Sequence, residues 1–163
     1  MARTPLTFTL NDAEVALFVA PGANLIDTLR RGAGDLTPKQ GCAQGGCGAC
    51  TVLIDGVPHL ACLTLAETVE GRSIETTAGL AGGPDLHPLQ TAFMEGFAAQ
   101  CGFCTAGMLM AAKALLDRVP NPTRDEVIDA ISGNLCRCTG YEPIVDAILS
   151  AAAKMTGTRR AMR

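Results

Sequence analysis

The chain has 163 residues and a formal net charge of −3, which allows one ordinary domain or two small ones and gives no basic footprint for nucleic acid. No apolar run approaches the roughly 20 residues of a membrane-spanning helix. Charged residues make up only 18 % of the chain, below a usual share of about 25 %, so sizeable faces are expected to be covered by other chains.

In chain order, Leu6, Phe8 and Leu10 alternate with polar residues and predict a half-buried strand. Asn11-Asp12 is turn chemistry, and Val15 to Val19 reads as the returning strand. Pro21-Gly22 breaks it. Asn24 is a candidate N-cap for a helix that carries Leu25, Ile26 and Leu29 and ends at Gly32 and Gly34. After a glycine-rich stretch, Thr51 to Asp55 predicts a strand that turns at Asp55-Gly56, a strong hairpin signal. The partner strand is expected over His59 to Leu63, with a last strand over Ser73 to Thr76. Residues 1–77 thus read as a small mixed sheet with one helix.

Residues 78–87 (AGLAGGPDLH) form a Gly/Pro linker. Beyond it the apolar period changes from two to about 3.6. Pro88 falls at a first helical position, and Leu89, Ala92, Phe93 and Phe97 share one face. Thr105 would cap a second helix with Met108, Leu109, Ala112, Leu115 and Leu116. Thr123 and Glu126 fit a capping box for a third, faced by Val127, Ile128 and Ile131. Pro143 opens a fourth with Ile144, Val145, Ile148 and Leu149. Arg159 to Arg163 reads as a frayed basic tail. Residues 88–163 are therefore expected to form a helical domain, and the whole chain is of the α+β class.

The eight cysteines fall into two groups of four with none left over. MARTPLTFTL lacks a signal-peptide core and Arg30-Arg31 is followed by no apolar run, so the chain reads as cytoplasmic, where a disulfide framework is not expected. The first group is Cys42, Cys47, Cys50 and Cys62. Its Cys-x4-Cys-x2-Cys run, set among Gly41, Gly45, Gly46 and Gly48, is the plant-type pattern for a [2Fe–2S] cluster. Glycines let such a loop adopt φ > 0 and turn backbone N–H groups toward negative sulfur. The second group, Cys101, Cys104, Cys136 and Cys138, sits at two helix breaks that antiparallel packing would bring to one end. Its spacing alone leaves iron–sulfur and zinc both open.

The blocks GCAQGGCGACTVLIDG (41–56), ACLTLA (61–66), HPLQTAF (87–93), QCGFC with GM (100–108) and GNLCRCTGYEPIVDAI (133–148) span nearly the whole chain. In order and content the chain resembles the small iron–sulfur subunit of the molybdenum hydroxylases, the xanthine dehydrogenase and aldehyde oxidoreductase family. The resemblance implies an N-terminal β-grasp, ferredoxin-like domain and a C-terminal four-helix domain, each with a [2Fe–2S] cluster. It implies a large partner subunit carrying a molybdopterin cofactor, and FAD in a further subunit, or another electron acceptor. Gln100 matches a residue that contacts the pterin in the family, and Cys138 matches a ligand whose sulfur lies near it. Electrons from oxidative hydroxylation of an N-heterocycle, purine or aldehyde would pass from molybdenum to the second cluster, then to the first, then to the acceptor. One departure is Ala106, where the family commonly has Pro.

No general acid or base is required of this chain, and no dinucleotide fingerprint or P-loop is present. His59 and His87 read as structural, and Met108 and Met110 as packing. Arg137 either offsets cluster charge or faces solvent. Tyr141 is expected to anchor the loop after Cys138. A free two-cluster ferredoxin serving several partners, or a structural zinc module, are the competing readings.

Overall fold

The computed structural model describes residues 3–161; Met1, Ala2, Met162 and Arg163 lie outside the described residues. Strands β1 (Thr4–Leu10) and β2 (Ala13–Val19) pair antiparallel, from Thr4 opposite Val19 to Leu10 opposite Ala13. Asn11 and Asp12 hold φ of 50° and 66°, the two left-handed positions of a type I′ hairpin turn, which Asn and Asp tolerate. Strands β3 (Thr51–Ile54) and β4 (Val57–Leu60) repeat the device at Asp55-Gly56. With β5 (Ser73–Glu75) the sheet order is β2-β1-β5-β3-β4; β1 and β5 run parallel and the other neighbours antiparallel.

Two expectations shift here. Asn24 does cap, its Oδ1 accepting from Asp27 N–H at 2.8 Å. The helix it starts, α1 (Leu25–Asp27), is one short turn that passes into a π-helical stretch over Thr28–Gly32. The strand expected over His59 to Leu63 ends at Leu60, because the N–H groups of Leu63 and Thr64 both fold back onto the Leu60 carbonyl at 2.9 and 3.2 Å. Cys62 therefore sits in a turn, not on a strand.

The second half holds α2 (Pro88–Glu95), α3 (Thr105–Arg118), α4 (Arg124–Ile131) and α5 (Glu142–Ala161). Of the tail expected to fray from Arg159 onward, the backbone is helical as far as Ala161, where the description of α5 ends. The capping box at α4 forms: Thr123 Oγ1 accepts from Glu126 N–H at 3.3 Å and Glu126 Oε2 from Thr123 N–H at 2.7 Å. His87 caps α2 in the same way, its Nδ1 accepting from Leu89 N–H at 3.2 Å while Gln90 Oε1 accepts from His87 N–H at 3.0 Å. The cap of α3 is Cys104 rather than Thr105, which is the first helical residue.

Phe97, expected on the buried face of α2, is 82 % exposed. The helix ends in a Schellman motif: Phe97 N–H donates to Met94 O and Ala98 N–H to Phe93 O. Phe97 takes the left-handed position at φ 50°, and the buried residue that follows the helix is Ala98. Ile128 likewise faces outward, leaving Val127 and Ile131 as the buried pair of α4.

Two buried clusters result. One fills the space between the sheet and α1, with Leu6, Phe8, Leu25, Ile26, Leu29, Val52 and Ile74 at its centre. The other lies among α2 to α5, with Leu89, Met108, Met110, Leu116, Ile144 and Ile148. Strand β3 serves both, since alternate side chains leave opposite faces of a strand. Val52 and Ile54 enter the first cluster and Leu53 enters the second. Lys113 of α3 also reaches Glu75 of β5 at 3.2 Å. Among the described residues no helix is long and apolar enough to cross a membrane.

Candidate metal centres

Three thiols of the first group, Cys42, Cys47 and Cys50, hang on the loop between α1's π-helical extension and β3, and the fourth, Cys62, sits in the turn after β4. Ala43, Gly45 and Gly48 have φ of 54°, 80° and 67°, so the loop reverses direction repeatedly and turns N–H groups inward. Gln44 N–H lies 3.5 Å from Cys42 Sγ. This bond, contact with Cys47 and further N–H groups of Gly46 and Cys47 hold the Cys42 thiol down at about 7. Cys50 is buried beside Cys62, and burial pushes its thiol up to about 11. Ala61 N–H donates to Cys50 O, which ties the turn bearing Cys62 to the loop.

The second group comes from two helix breaks. Cys101 and Cys104 precede α3, and Cys136 and Cys138 lie between α4 and α5. The breaks meet at one end of the helices, with Cys138 Sγ and Cys101 Sγ 3.6 Å apart. Cys104 is buried against Cys136, and burial pushes its thiol up to about 12. Burial also raises Cys136, but the Thr139 hydroxyl and the N–H groups of Cys138 and Thr139 outweigh it and lower this thiol. All eight cysteines are free thiols.

The thiols gather as pairs: Cys42 with Cys47, Cys50 with Cys62, Cys101 with Cys138, and Cys104 with Cys136. Among the described residues no three His, Cys, Asp or Glu side chains surround one ion position. Two pairs per site suit a two-iron cluster, which takes two ligands on each iron. Inward N–H groups would complement the thiolates such a cluster requires, and a metal held there would have to displace the protons on Cys50 and Cys104, which burial favours.

Three groups that sequence reasoning did not single out lock the two loops together. Leu135 N–H donates to Cys47 O at 2.9 Å. Asn134, buried, donates its Nδ2 to Gly48 O at 2.8 Å and to Thr51 Oγ1 at 3.3 Å. Gly107 of α3 lies so near that a Cβ there would stand 2.2 Å from Gly48 O. A Cβ on Gly41 would stand 3.0 Å from Cys47 Sγ and 3.3 Å from Phe103 Cε1, so the ring between Cys101 and Cys104 leans on the first loop. The one sequence signal was the polar Asn134 placed beside a cysteine pair. Tyr141 anchors its loop as expected, its hydroxyl accepting from Cys136 N–H at 3.0 Å. Gln100, Cys101, Arg137 and Cys138 are exposed, and so is His59 on β4.

Two sets of paired thiols, each drawn from two segments of the chain, thus lie on either side of one hydrogen-bonded junction. Residues 21–94 match the family model described as a 2Fe-2S iron-sulfur cluster binding domain, and residues 76–149 match that described as a [2Fe-2S] binding domain. The nicotine 6-hydroxylase small subunit of Paenarthrobacter nicotinovorans is 48 % identical over 94 % of this chain and 92 % of its own. The crystal structure of quinoline 2-oxidoreductase from Pseudomonas putida 86 superposes with a TM-score of 0.92 at 48 % identity, over 96 % of this chain and 98 % of the matched one. That of the aldehyde oxidoreductase from Desulfovibrio desulfuricans gives 0.91 at 44 % identity, over 94 % of this chain but 17 % of the longer one. The chain belongs to the family of small iron–sulfur subunits of the molybdenum hydroxylases.

Proposed function

We propose that this chain is the electron-relay subunit of a molybdenum hydroxylase complex that oxidises an N-heterocycle, purine or aldehyde. Cys42, Cys47, Cys50 and Cys62 hold one [2Fe–2S] cluster in a ferredoxin-like, β-grasp half. Cys101, Cys104, Cys136 and Cys138 hold the other in a four-helix half. Each cluster supplies a one-electron carrier, which lets the two electrons of a hydroxylation leave one at a time.

The observation that carries the proposal is the hydrogen bond from Leu135 N–H to Cys47 O. It links the backbone of one first-site cysteine to the residue directly before a second-site cysteine. Asn134 and the bare Cα of Gly107 press the same two loops together. The chain's role is to hold that spacing and keep water out of the junction.

Gln100 and Cys138 are the residues proposed to face the molybdopterin of a large subunit. They are exposed, and exposed apolar side chains stand on the same and adjoining segments: Met94, Phe97, Phe103 and Leu135. Exposed apolar groups of this size suit burial under a partner. The aldehyde oxidoreductase supports this, because the segment matching this chain is a small part of a much longer one. Leu63 and Leu65, exposed beside Cys62, suit the opposite contact with a FAD subunit or other acceptor. The nicotine and quinoline relatives favour an N-heteroaromatic substrate.

The test is anaerobic addition of an N-heteroaromatic substrate to the natively purified complex, followed by electron paramagnetic resonance. Both cluster signals should develop. Recovery of the chain without any molybdenum protein, or with zinc in place of iron, would defeat the proposal.

A further inference from the structure

We propose that Thr139 is a positioning residue that sets the reduction potential of the second centre alone, by donating its hydroxyl proton to the sulfur of Cys136. The inference rests on the reading that Cys136 is a cluster ligand. Thr139 Oγ1 lies 3.2 Å from Cys136 Sγ. The same oxygen accepts from Tyr141 N–H at 3.2 Å. A threonine hydroxyl has one proton and two acceptor sites. With Tyr141 N–H occupying the acceptor side, the proton is left for the sulfur, and a metal-bound thiolate has no proton of its own to offer in return.

A threonine that accepts from the N–H two residues on is, by itself, an ordinary turn device. Three further features go beyond a turn. Tyr141 adopts φ 71°, a left-handed conformation that bulky residues rarely take. In that position its N–H meets Thr139 while its own hydroxyl accepts from Cys136 N–H at 3.0 Å. Cys136 is thus gripped at its backbone by Tyr141 and at its sulfur by Thr139. Among the described residues this is also the one side-chain hydroxyl placed on a cysteine sulfur; the first site is served by backbone donors such as Gln44 N–H.

A hydrogen bond to a ligand sulfur offsets negative charge, and the reduced cluster carries more of it. The bond therefore favours reduction and raises the potential. Because the first site has no matching hydroxyl, Thr139 changes the difference between the two centres, which governs how an electron divides between them.

The experiment is a redox titration, followed by electron paramagnetic resonance, of the full chain carrying both clusters. Thr139→Val should lower the second centre's reduction equilibrium about tenfold, equivalent to about 59 mV for one electron. The first centre should hold its midpoint, and Thr139→Ser should restore the wild-type value. Equal midpoints in Val and wild type, an equal shift of both centres, or failure of Ser to restore would overturn the proposal. If the Val variant takes up no second cluster, Thr139→Ala replaces it: Ala below Ser supports the proposal. Ala equal to Ser, or Ala also devoid of the cluster while Ser is normal, assigns Thr139 a structural role and overturns it. A wild-type chain with no second cluster signal would instead defeat the ligand assignment.

Discussion

Gly107→Ala sets two effects against each other. Gly107 lies in the first turns of α3, where Ala is favoured over Gly by about 1 kcal/mol. Its Cβ would stand 2.2 Å from Gly48 O and 2.9 Å from Asn134 Nδ2. The nearer atom is backbone, so the loop bearing Cys47 and Cys50 must retreat by on the order of 1 Å to restore contact distance. Overpacking of that kind costs about 1–3 kcal/mol. Gly48 O also accepts from Thr51 N–H at 3.0 Å, Thr51 Oγ1 at 2.7 Å and Asn134 Nδ2 at 2.8 Å. Loss of two of these adds about 1 kcal/mol each. The net is about 2–4 kcal/mol of destabilisation, or about 5–15 °C in melting midpoint for a chain of this size. Thermal bleaching of the visible cluster absorption reads it. Gly157→Ala, whose added Cβ meets nothing within 4 Å, is the control and should melt no lower than wild type. A Gly107→Ala chain that melts at or above wild type would refute the close-contact reasoning.

Asn134→Ala should cost about 1–3 kcal/mol, since it strips a buried amide from Gly48 O and Thr51 Oγ1; chemical denaturation of the loaded chain checks it. Cys62→Ser should abolish one cluster signal and spare the other, and Cys138→Ser should do the reverse; loss of both signals from either change would show the sites to be interdependent. Burial, with the charge of Lys113, holds His87 below its ordinary 6.5. A lowered folded value favours the neutral ring, so the stability it contributes is present above about pH 6.5. It is lost as pH falls through the folded value and the acceptor Nδ1 at the head of α2 takes up a proton. Melting midpoints should therefore fall from pH 7 toward acid, and His87→Asn, a cap that does not titrate in this range, should flatten that part of the curve.

Features written locally were legible in the sequence. Two hairpin turns, the Thr123 capping box and Pro88 at a helix start need only neighbours a few residues apart. The run Cys42, Cys47, Cys50 was legible as a unit because its spacing and glycine content report one loop's chemistry, and each thiol pair falls within one of the two groups of four. What the sequence did not disclose depends on distant partners. The Gly48–Gly107–Asn134 junction joins three segments, and nothing in any one of them marks the other two. The split of β3 between two cores follows from α3 lying on its far face. Phe97 fits a helical face by period, but the chain had already turned at Gly96 and handed the buried position to Ala98. Cys62 needed only to reach the first loop, and a turn after β4 delivers it as well as a strand would. The Thr139 hydroxyl is read only when the hydrogen bond from Tyr141 is seen with it.

Iron and sulfide analysis of the natively purified chain, joined to electron paramagnetic resonance of its reduced form, tests the central claim most directly. The account predicts about four irons and four sulfides per chain and two distinct one-electron signals. Half that iron with a single signal, or zinc bound by either set of thiols, would contradict it.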